Sequence, residues 1–261
     1  MRNTRFIKCL IALLFLGLIC IVSYKLTKET KLSHTQQLQK KVKIENTYDI
    51  QEKVKLDITP YVIPDFEIIY QNPELPTGCE ITALTMVLNY YGYKVDKTTM
   101  ASEYLPTTTY YTYCGSDGRM YGPDLENYFV GDPFSELGTV CGAGAVEIAA
   151  NSYLEENESI MCAKNITGCS VEWLYQYVSK GTPVVVLVTI GMEDRQSEIG
   201  WYTEDGDYVD WSTNDHGSVL IGWDKDEVTI ACPILGIQTY SREQFEKVFV
   251  ERGSKAVVLS E

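Results

Sequence analysis

A lone cysteine at the start of a predicted helix is the residue of this sequence best suited to nucleophilic chemistry. Cys79 lies in the stretch LPTGCEITALTMVLNYYG, between a Pro-Thr-Gly turn and an amphipathic segment. Thr77 and Glu80 fit the Thr-x-x-Glu capping box, which makes Thr77 the N-cap and Cys79 the second helical residue. Unpaired backbone N–H groups and the positive end of the helix dipole stabilise a thiolate there. We therefore expect a lowered pKa for the Cys79 thiol.

A general base for this thiol must come from very few histidines. The chain has two, and His34 belongs to the N-terminal segment, which leaves His216. His216 stands in WSTNDHGSVLIGWD, where Asn214, Asp215 and Gly217 are turn-forming residues. We expect its ring at a strand end, facing a cleft. An imidazole beside a thiol takes the thiol proton when sulfur attacks a carbonyl, so the two residues together indicate acyl-transfer chemistry.

The surrounding pattern predicts helices followed by an antiparallel sheet. Ile81, Leu84, Leu88 and Tyr91 recur at the 3, 4, 3 spacing of one buried helix face, and Gly92 closes that helix. Further along the chain we predict helices at about 143–154 and 170–179, a buried central strand TPVVVLVTI, a hairpin HGSVLIGWDKDEVTIACPI turning at 224–227, a short helix opened by a Ser241–Gln244 capping box, and a last strand KAVVLS. This order is typical of an α+β domain.

The first 24 residues predict a membrane anchor. Arg2, Arg5 and Lys8 precede an apolar run from Cys9 to Tyr24, and no small-x-small cleavage site follows. The positive N-terminus predicts a single-pass protein of the cell membrane with its body on the extracytoplasmic side, or a secreted protein if the segment is cleaved. Residues 25–60 predict a stalk, and residues 61–261 the folded domain.

The charge distribution excludes one class of partner. Residues 1–60 carry 11 Lys and Arg against 5 Asp and Glu, whereas residues 61–261 carry 11 against 31. Because nucleic-acid binding needs a basic face, so acidic a domain argues against nucleic acid. The acidic run at 204–215 is interpreted as a solvated loop at the rim of the cleft, selecting positively charged peptide segments.

Six cysteines lie beyond residue 60, and none forms a CxxC pair. With so few histidines, a structural zinc site has little support. The acidic run lacks the glycine and the terminal glutamate at the positions that an EF-hand loop requires. No cofactor is expected. In an oxidising exterior, Cys114 with Cys141 or Cys162 with Cys169 are candidate disulfides. Spacing leaves that pairing open, and the oligomeric state as well.

Two blocks of the sequence, YQNPELPTGCEITALTMVLNYYG and HGSVLIGWDKDEVTIACP, resemble cysteine peptidase family 39. That family comprises the bacteriocin-leader peptidases and peptidase-39-like relatives on bacterial surfaces, and the resemblance spans about residues 62–250. It implies a papain-like fold, with a helical N-terminal part packed on a C-terminal antiparallel sheet. It also implies that Cys79 is the nucleophile, that His216 is the general base, and that the Gln71 amide helps to stabilise the oxyanion.

One position departs from the family pattern. Where the family has the Asp of Asp-Pro, which orients the histidine ring, this chain has Cys232 before Pro233. A thiol is a poor acceptor for that role. The open alternatives are another acid (Asp210, Asp215 or Asp224), a backbone carbonyl, or loss of most activity. Of these, a weakened Cys-His dyad ranks above a relocated triad.

The leading interpretation is a membrane-anchored, extracytoplasmic cysteine peptidase that acts on a peptide or protein substrate. The first alternative is a pseudopeptidase, a surface module that binds peptides without cleaving them. The second is a Cys-dependent acyltransferase that passes the acyl group to an amine.

Overall fold

The computed structural model describes residues 59–196 and 198–261. The predicted anchor at 1–24 and nearly all of the predicted stalk at 25–60 lie outside these residues and stay predictions. Within the described ranges, no helix combines the length and the apolar character needed to cross a membrane.

The β-branched run predicted as a central strand forms the middle of the main sheet. All six residues of Val184–Thr189 are buried, and they alternate in their packing: Val184 and Val186 belong to one apolar layer and Val185 to the other. A strand covered on both faces is apolar throughout, which explains the unbroken valine run. The strands in chain order are β1 (Tyr61–Val62), β2 (Thr107–Thr108), β3 (Tyr113–Cys114), β4 (Met120–Tyr121), β5 (Phe129–Val130), β6 (Cys162–Asn165), β7 (Val184–Thr189), β8 (Glu198–Tyr202), β9 (Tyr208–Ser212), β10 (Asp215–Trp223), β11 (Glu227–Cys232), β12 (Gly236–Ser241) and β13 (Ala256–Ser260).

Seven strands make an antiparallel sheet in the order β12-β11-β10-β7-β13-β6, with β1 pairing to β10. The predicted hairpin is β10 and β11, joined at the predicted polar turn. Along the β10–β7 ladder His216 is opposite Val188, so this histidine stands near the beginning of a strand that runs through the sheet centre.

Helices cover both faces of this sheet. The helices are α1 (Cys79–Tyr90), α2 (Lys97–Thr99), α3 (Ala143–Glu156), α4 (Val171–Ser179) and α5 (Arg242–Glu251), with a π-helical turn at Met100–Tyr104 and a 3₁₀ turn at Ile190–Met192. α1 and α3 share one apolar layer with Val185 and Val219, while α4 and α5 share the other with Val184 and Leu220.

Helix α1 is more deeply buried than an amphipathic pattern predicts. Every residue from Cys79 to Leu88 is buried, because α1 lies between the sheet and α3. Its end is as predicted: Gly92 has φ +92°, its N–H bonds to Asn89, and Tyr93 N–H bonds to the Leu88 carbonyl. These two bonds form a Schellman motif, which needs a left-handed residue that glycine adopts without strain.

The last helix, α5, has the predicted N-cap but only half of the capping box. Ser241 Oγ accepts from Gln244 N at 3.2 Å. The Gln244 side chain does not return the bond; it donates to the Met192 carbonyl at 2.7 Å and so ties α5 to the turn after β7.

A second, four-stranded sheet (β3-β4-β8-β9) and a parallel pair (β2, β5) fill the middle of the chain, which the sequence left without assignment. The interpretation of 204–215 as one solvated loop is wrong. β9 occupies 208–212, and the Asp210 carboxylate pairs with Arg195 at 2.6 Å. The acidic residues are spaced so that some pair with arginine, which composition alone does not reveal. The predicted α+β fold class, with helices packed on an antiparallel sheet, is confirmed.

Candidate active site

Cys79 is the first residue of α1, and Gly78, not Thr77, is its N-cap. The predicted capping box is therefore wrong. The Thr77 hydroxyl donates to the Ser135 carbonyl at 2.9 Å, which fixes the loop before the helix to the loop after β5. The Glu80 side chain is turned inward instead of back to the helix start, because burial beside the sheet gives its carboxylate other partners.

The sulfur of Cys79 is held from two sides. The backbone N–H of Gly217 donates to Sγ at 3.4 Å, and Sγ lies 3.2 Å from Glu80 Oε2. Gly217 lets α1 approach this closely, since a Cβ there would lie 2.6 Å from the Glu80 Cα. The contact places the sulfur against the strand residue that follows His216.

The Cys79 thiol is more basic than the sequence suggests. The side chain is only 5% exposed, and burial, followed by the charge of Glu80, raises its pKa well above the usual value. The Gly217 N–H acts in the opposite direction but is the weaker influence. The expected lowered pKa is therefore wrong for this conformation, because desolvation of a thiolate outweighs the helix terminus.

The His216 ring contacts Cys232, the residue at the position where the family pattern predicts an aspartate. Its Nε2 lies 3.2 Å from Cys232 Sγ, and both residues are buried. Burial lowers the pKa of His216 to about 4, so the imidazole is neutral near pH 7 and one of its ring nitrogens is free to accept a proton.

The three acids considered as replacements for Cys232 all have other partners. Asp215, whose side chain is fully buried, pairs with Arg195 at 2.9 Å and with Arg252 at 3.0 Å. Asp210 pairs with Arg195, and Asp224 Oδ1 accepts the backbone N–H groups of its own turn at 2.8 Å. As expected for adjacent residues of a strand, Asp215 and His216 have separate sets of contacts.

Gln71 lies beside the Cys232 segment. Its backbone N–H bonds to the Pro233 carbonyl at 2.9 Å, and its side-chain Nε2 donates to the Pro76 carbonyl at 2.7 Å. The side chain is buried, and its Oε1 has no hydrogen-bond partner among the described residues. The amide has a second N–H, so a donor toward an oxyanion is compatible with this geometry.

All six cysteines of the described part are free thiols. Neither candidate pairing forms: Cys141 is buried while Cys114 is exposed, and Cys162 and Cys169 are each unpaired. Cys141 lies close to the thiol of α1, since its backbone N–H bonds to Glu80 Oε1 at 3.4 Å.

Sequence reasoning missed three residues of this site: Glu80, Gly217 and Arg252. Glu80 was assigned to a helix cap, and Gly217 only to a turn. Their position directly after the cysteine and the histidine was the available signal. Arg252 lies 173 residues after Cys79 in the chain, and no local pattern connects it to the site.

A groove of about 480 Å³ adjoins the loop that precedes Cys79. It is lined by residues 107–110 and by Gly131, Asp132, Ser135 and Leu137. Ser135 is the residue whose carbonyl bonds Thr77, so the groove and the start of α1 share one loop contact. The described residues contain no cluster of three or more His, Cys, Asp or Glu side chains suited to a metal.

Comparison with known proteins gives consistent matches. Residues 63–257 match the sequence model of the Peptidase_C39 like family. The uncharacterized protein YvpB of Bacillus subtilis (strain 168) is 31% identical over 188 residues, which cover 72% of this chain and 70% of YvpB.

Solved structures are similar as well. A putative C39-like peptidase from Bacillus anthracis has a TM-score of 0.67 and 30% identity, with 78% of this chain and 98% of that chain covered. A double glycine motif protease from an AMS/PCAT transporter, solved with its leader peptide, has a TM-score of 0.41 and 17% identity, with 77% and 94% covered.

Proposed function

This chain belongs to the peptidase C39-like family, and we propose that it cleaves peptide bonds with Cys79 as nucleophile and His216 as proton acceptor. The observation that carries the proposal is the 3.4 Å bond from the Gly217 N–H to Cys79 Sγ. This bond joins Cys79, the first residue of α1, to β10, the strand that carries His216. Among the described residues, His216 is the only histidine.

The chemistry starts from an uncharged pair. With the thiol protonated and His216 neutral near pH 7, sulfur attacks the peptide carbonyl as its proton moves to the imidazole. The imidazolium then protonates the departing amine, leaving a thioester on Cys79. Water, deprotonated by His216, attacks the thioester, releases the acid and restores the thiol.

Negative charge develops on the carbonyl oxygen in both steps. The Cys79 backbone N–H, at the open end of α1, and the second N–H of the Gln71 amide are the donors proposed for the oxyanion. A peptide segment is proposed to occupy the groove at 107–110 and 131–137, where hydroxyl groups and the Asp132 carboxylate offer hydrogen bonds.

Cleavage of a peptide library by the wild type and by Cys79→Ala tests this function. Turnover should fall at least ~10³-fold in Cys79→Ala, as expected when a covalent nucleophile is removed. Cys114→Ala is the matched control, because it removes an exposed thiol. Equal turnover in wild type and Cys79→Ala would refute the proposal, and amide products formed with added amines would identify an acyltransferase.

One observation favours a second candidate, a pseudopeptidase that binds peptides without cleaving them. The group that bonds His216 is the thiol of Cys232, and burial lowers the pKa of the imidazole. A carboxylate there would stabilise the imidazolium that forms during attack, whereas a thiol does so poorly.

The location of the protein is proposed from residues 1–24, in which positive charges precede an apolar run: anchored in the cell membrane, with the domain outside. The test is labelling of the exposed Cys114 and Cys162 on intact cells with a membrane-impermeant maleimide. Labelling before lysis agrees with an external domain, and labelling only after lysis overturns it.

A further inference from the structure

Glu80 is a buried acid in direct contact with the proposed nucleophile. It is the second residue of α1 and is only 1% exposed. Glutamate is almost never fully buried unless it has specific partners. The absence of a side chain at Gly217 creates its space, since a Cβ there would lie 2.9 Å from the Glu80 Cγ.

Both carboxylate oxygens of Glu80 take part in hydrogen bonds. Oε2 lies 3.2 Å from Cys79 Sγ, and Oε1 accepts the Cys141 N–H at 3.4 Å. A carboxylate fixed at two points cannot turn away from the thiol without losing a buried bond. Because Sγ already accepts the Gly217 N–H, the hydrogen bond to Glu80 defines the direction of the S–H group.

The surroundings of Glu80 act on its pKa in opposite directions. Burial raises the pKa of Glu80 to about 7, while bonds from Cys79 and Cys141 and the positive charge of Arg252 act to lower it. Cys141, itself a buried thiol with a raised pKa, faces Glu80 from the segment before α3. The Glu80 anion in turn raises the pKa of Cys79, so the two residues titrate as a coupled pair.

We propose that Glu80 is a positioning residue that holds the Cys79 thiol in its protonated form, with the S–H directed at the Glu80 carboxylate, and that it delays thiolate formation, and so proton transfer to His216, until the charge of Glu80 is neutralised. Deprotonated Glu80 accepts the S–H bond and repels the charge of a thiolate. Protonated Glu80 exerts no such repulsion and can itself donate a hydrogen bond to sulfur. The resting nucleophile is thus kept uncharged by its own neighbour in the chain.

This inference rests on the proposed nucleophilic role of Cys79, but its test needs no turnover. Alkylation of Cys79 by iodoacetamide is followed by mass spectrometry between pH 5 and 10 in the wild type and in Glu80→Gln. A removed like charge at this distance corresponds to a pKa change of about one unit or more, so the rising limb of the alkylation profile should be displaced to lower pH by that amount in Glu80→Gln, and the alkylation rate at pH 8 should be about 10-fold higher.

Glu126→Gln is the matched control. Glu126 is also a carboxylate that accepts a backbone N–H, from Gly144 at 2.9 Å, and it also lies near Cys141 and Arg252, but its side-chain partner is Lys255. Its Cys79 profile should match the wild type. An unchanged or alkaline-shifted profile in Glu80→Gln overturns the inference, as does an equal shift in Glu126→Gln.

A second measurement does not depend on the folding of Glu80→Gln. Carboxyl ¹³C NMR of glutamate-labelled protein should show one group titrating near pH 7, and its midpoint should rise in Cys79→Ala, because the thiol bond that favours the carboxylate is gone. An identical midpoint in both proteins overturns the inference. If the wild type shows no peptide turnover but the alkylation and NMR shifts are as expected, only the proposed peptidase function is refuted.

Discussion

His216 and Cys232 meet across the β10–β11 hairpin, with 3.2 Å between Nε2 and Sγ. Strand pairing, and not any local sequence motif, determines this contact. The Leu235 N–H also donates to the same sulfur at 3.4 Å, which fixes the thiol within the turn after β11. The ring is therefore oriented by a thiol, which is a poor hydrogen-bond acceptor, and not by a carboxylate, and this relationship determines the first prediction.

Cys232→Asp should raise peptide turnover by at least ~10-fold. An aspartate that accepts a hydrogen bond from Nε2–H would orient the ring. Its negative charge would raise the pKa of His216 from about 4 toward the operating pH, where a general base is most effective. Library turnover and its pH profile measure this. Cys232→Ser, similar in volume and uncharged, should match the wild type.

A folded Cys232→Asp protein that is no more active than the wild type would contradict this account of position 232. Activity confined to Cys232→Asp would instead identify the natural protein as a peptide-binding pseudopeptidase.

Gly217→Ala should separate α1 from β10. The added Cβ would stand 2.6 Å from a backbone atom of Glu80, so the strand or the helix must shift, at a cost of about 1–3 kcal/mol. The loss of the Gly217 N–H bond to sulfur should accompany it, with lower turnover. Thermal unfolding and library cleavage report the two effects.

The control for this glycine is Gly206→Ala. Gly206 has φ +90° and open space around it, so alanine adds backbone strain of about 1 kcal/mol without a collision. Its turnover should be unchanged. If both variants lose activity alike, close packing at Gly217 is not the cause.

Asp215→Asn should destabilise the fold by on the order of 3 kcal/mol. The Asp215 carboxylate is buried between Arg195 and Arg252, and its loss leaves buried positive charge uncompensated. Asp224→Asn, in an exposed turn, should cost under about 1 kcal/mol. Urea unfolding measures both.

The same pair of variants tests whether either acid orients the His216 ring. Because both have partners other than His216, we expect the acid limb of the pH–activity profile to stay in place in both variants. A profile displaced in Asp215→Asn or Asp224→Asn would assign that acid the role left vacant at position 232.

The pH dependence of stability should contain two opposed contributions. The pKa of Glu80, about 7 when folded against about 4.3 unfolded, means that the folded state binds more protons, so its stabilising contribution is complete below pH 4.3 and is lost as pH rises through 7. The pKa of His216, about 4 against about 6.5, acts in reverse, and its stability is lost as pH falls from 6.5 to 4.

Glu80→Gln removes only the first contribution. Between pH 5 and pH 8 the wild type loses the stabilising contribution of Glu80, whereas Glu80→Gln has none to lose. The change in the free energy of unfolding over this range should therefore be more positive in Glu80→Gln, by on the order of 2 kcal/mol. Urea denaturation at the two pH values measures this difference. Parallel curves for the two proteins would show that Glu80 titrates normally when folded.

Elements with a strong local pattern were predictable. The valine run of β7, the hairpin at 224–227 and the glycine ends of α1 and α4 appear where the sequence places them, since each depends on hydrophobic periodicity or on a left-handed residue. The small sheet of β3, β4, β8 and β9 was not predicted. Its strands are two to five residues long, too short for a repeating pattern.

The candidate site divides in the same way. Cys79, His216, Gln71 and Cys232 could be named because their residue types and motifs carry chemical meaning. Their protonation states could not, because these depend on burial and on neighbours distant in the chain. The helix terminus suggested an acidic thiol, yet desolvation and the turned-in Glu80 reverse the sign.

By itself, the sequence determined the chemical inventory of this protein: one thiol at a helix start, one histidine before a hairpin, and a second thiol at the position where the family resemblance predicts an acid. Only the tertiary structure decided which of these groups touch and which are charged. Hydrogen bonds and desolvation act over a few ångströms, and the distance between residues 79 and 217 becomes that short only when the helix packs on the strand.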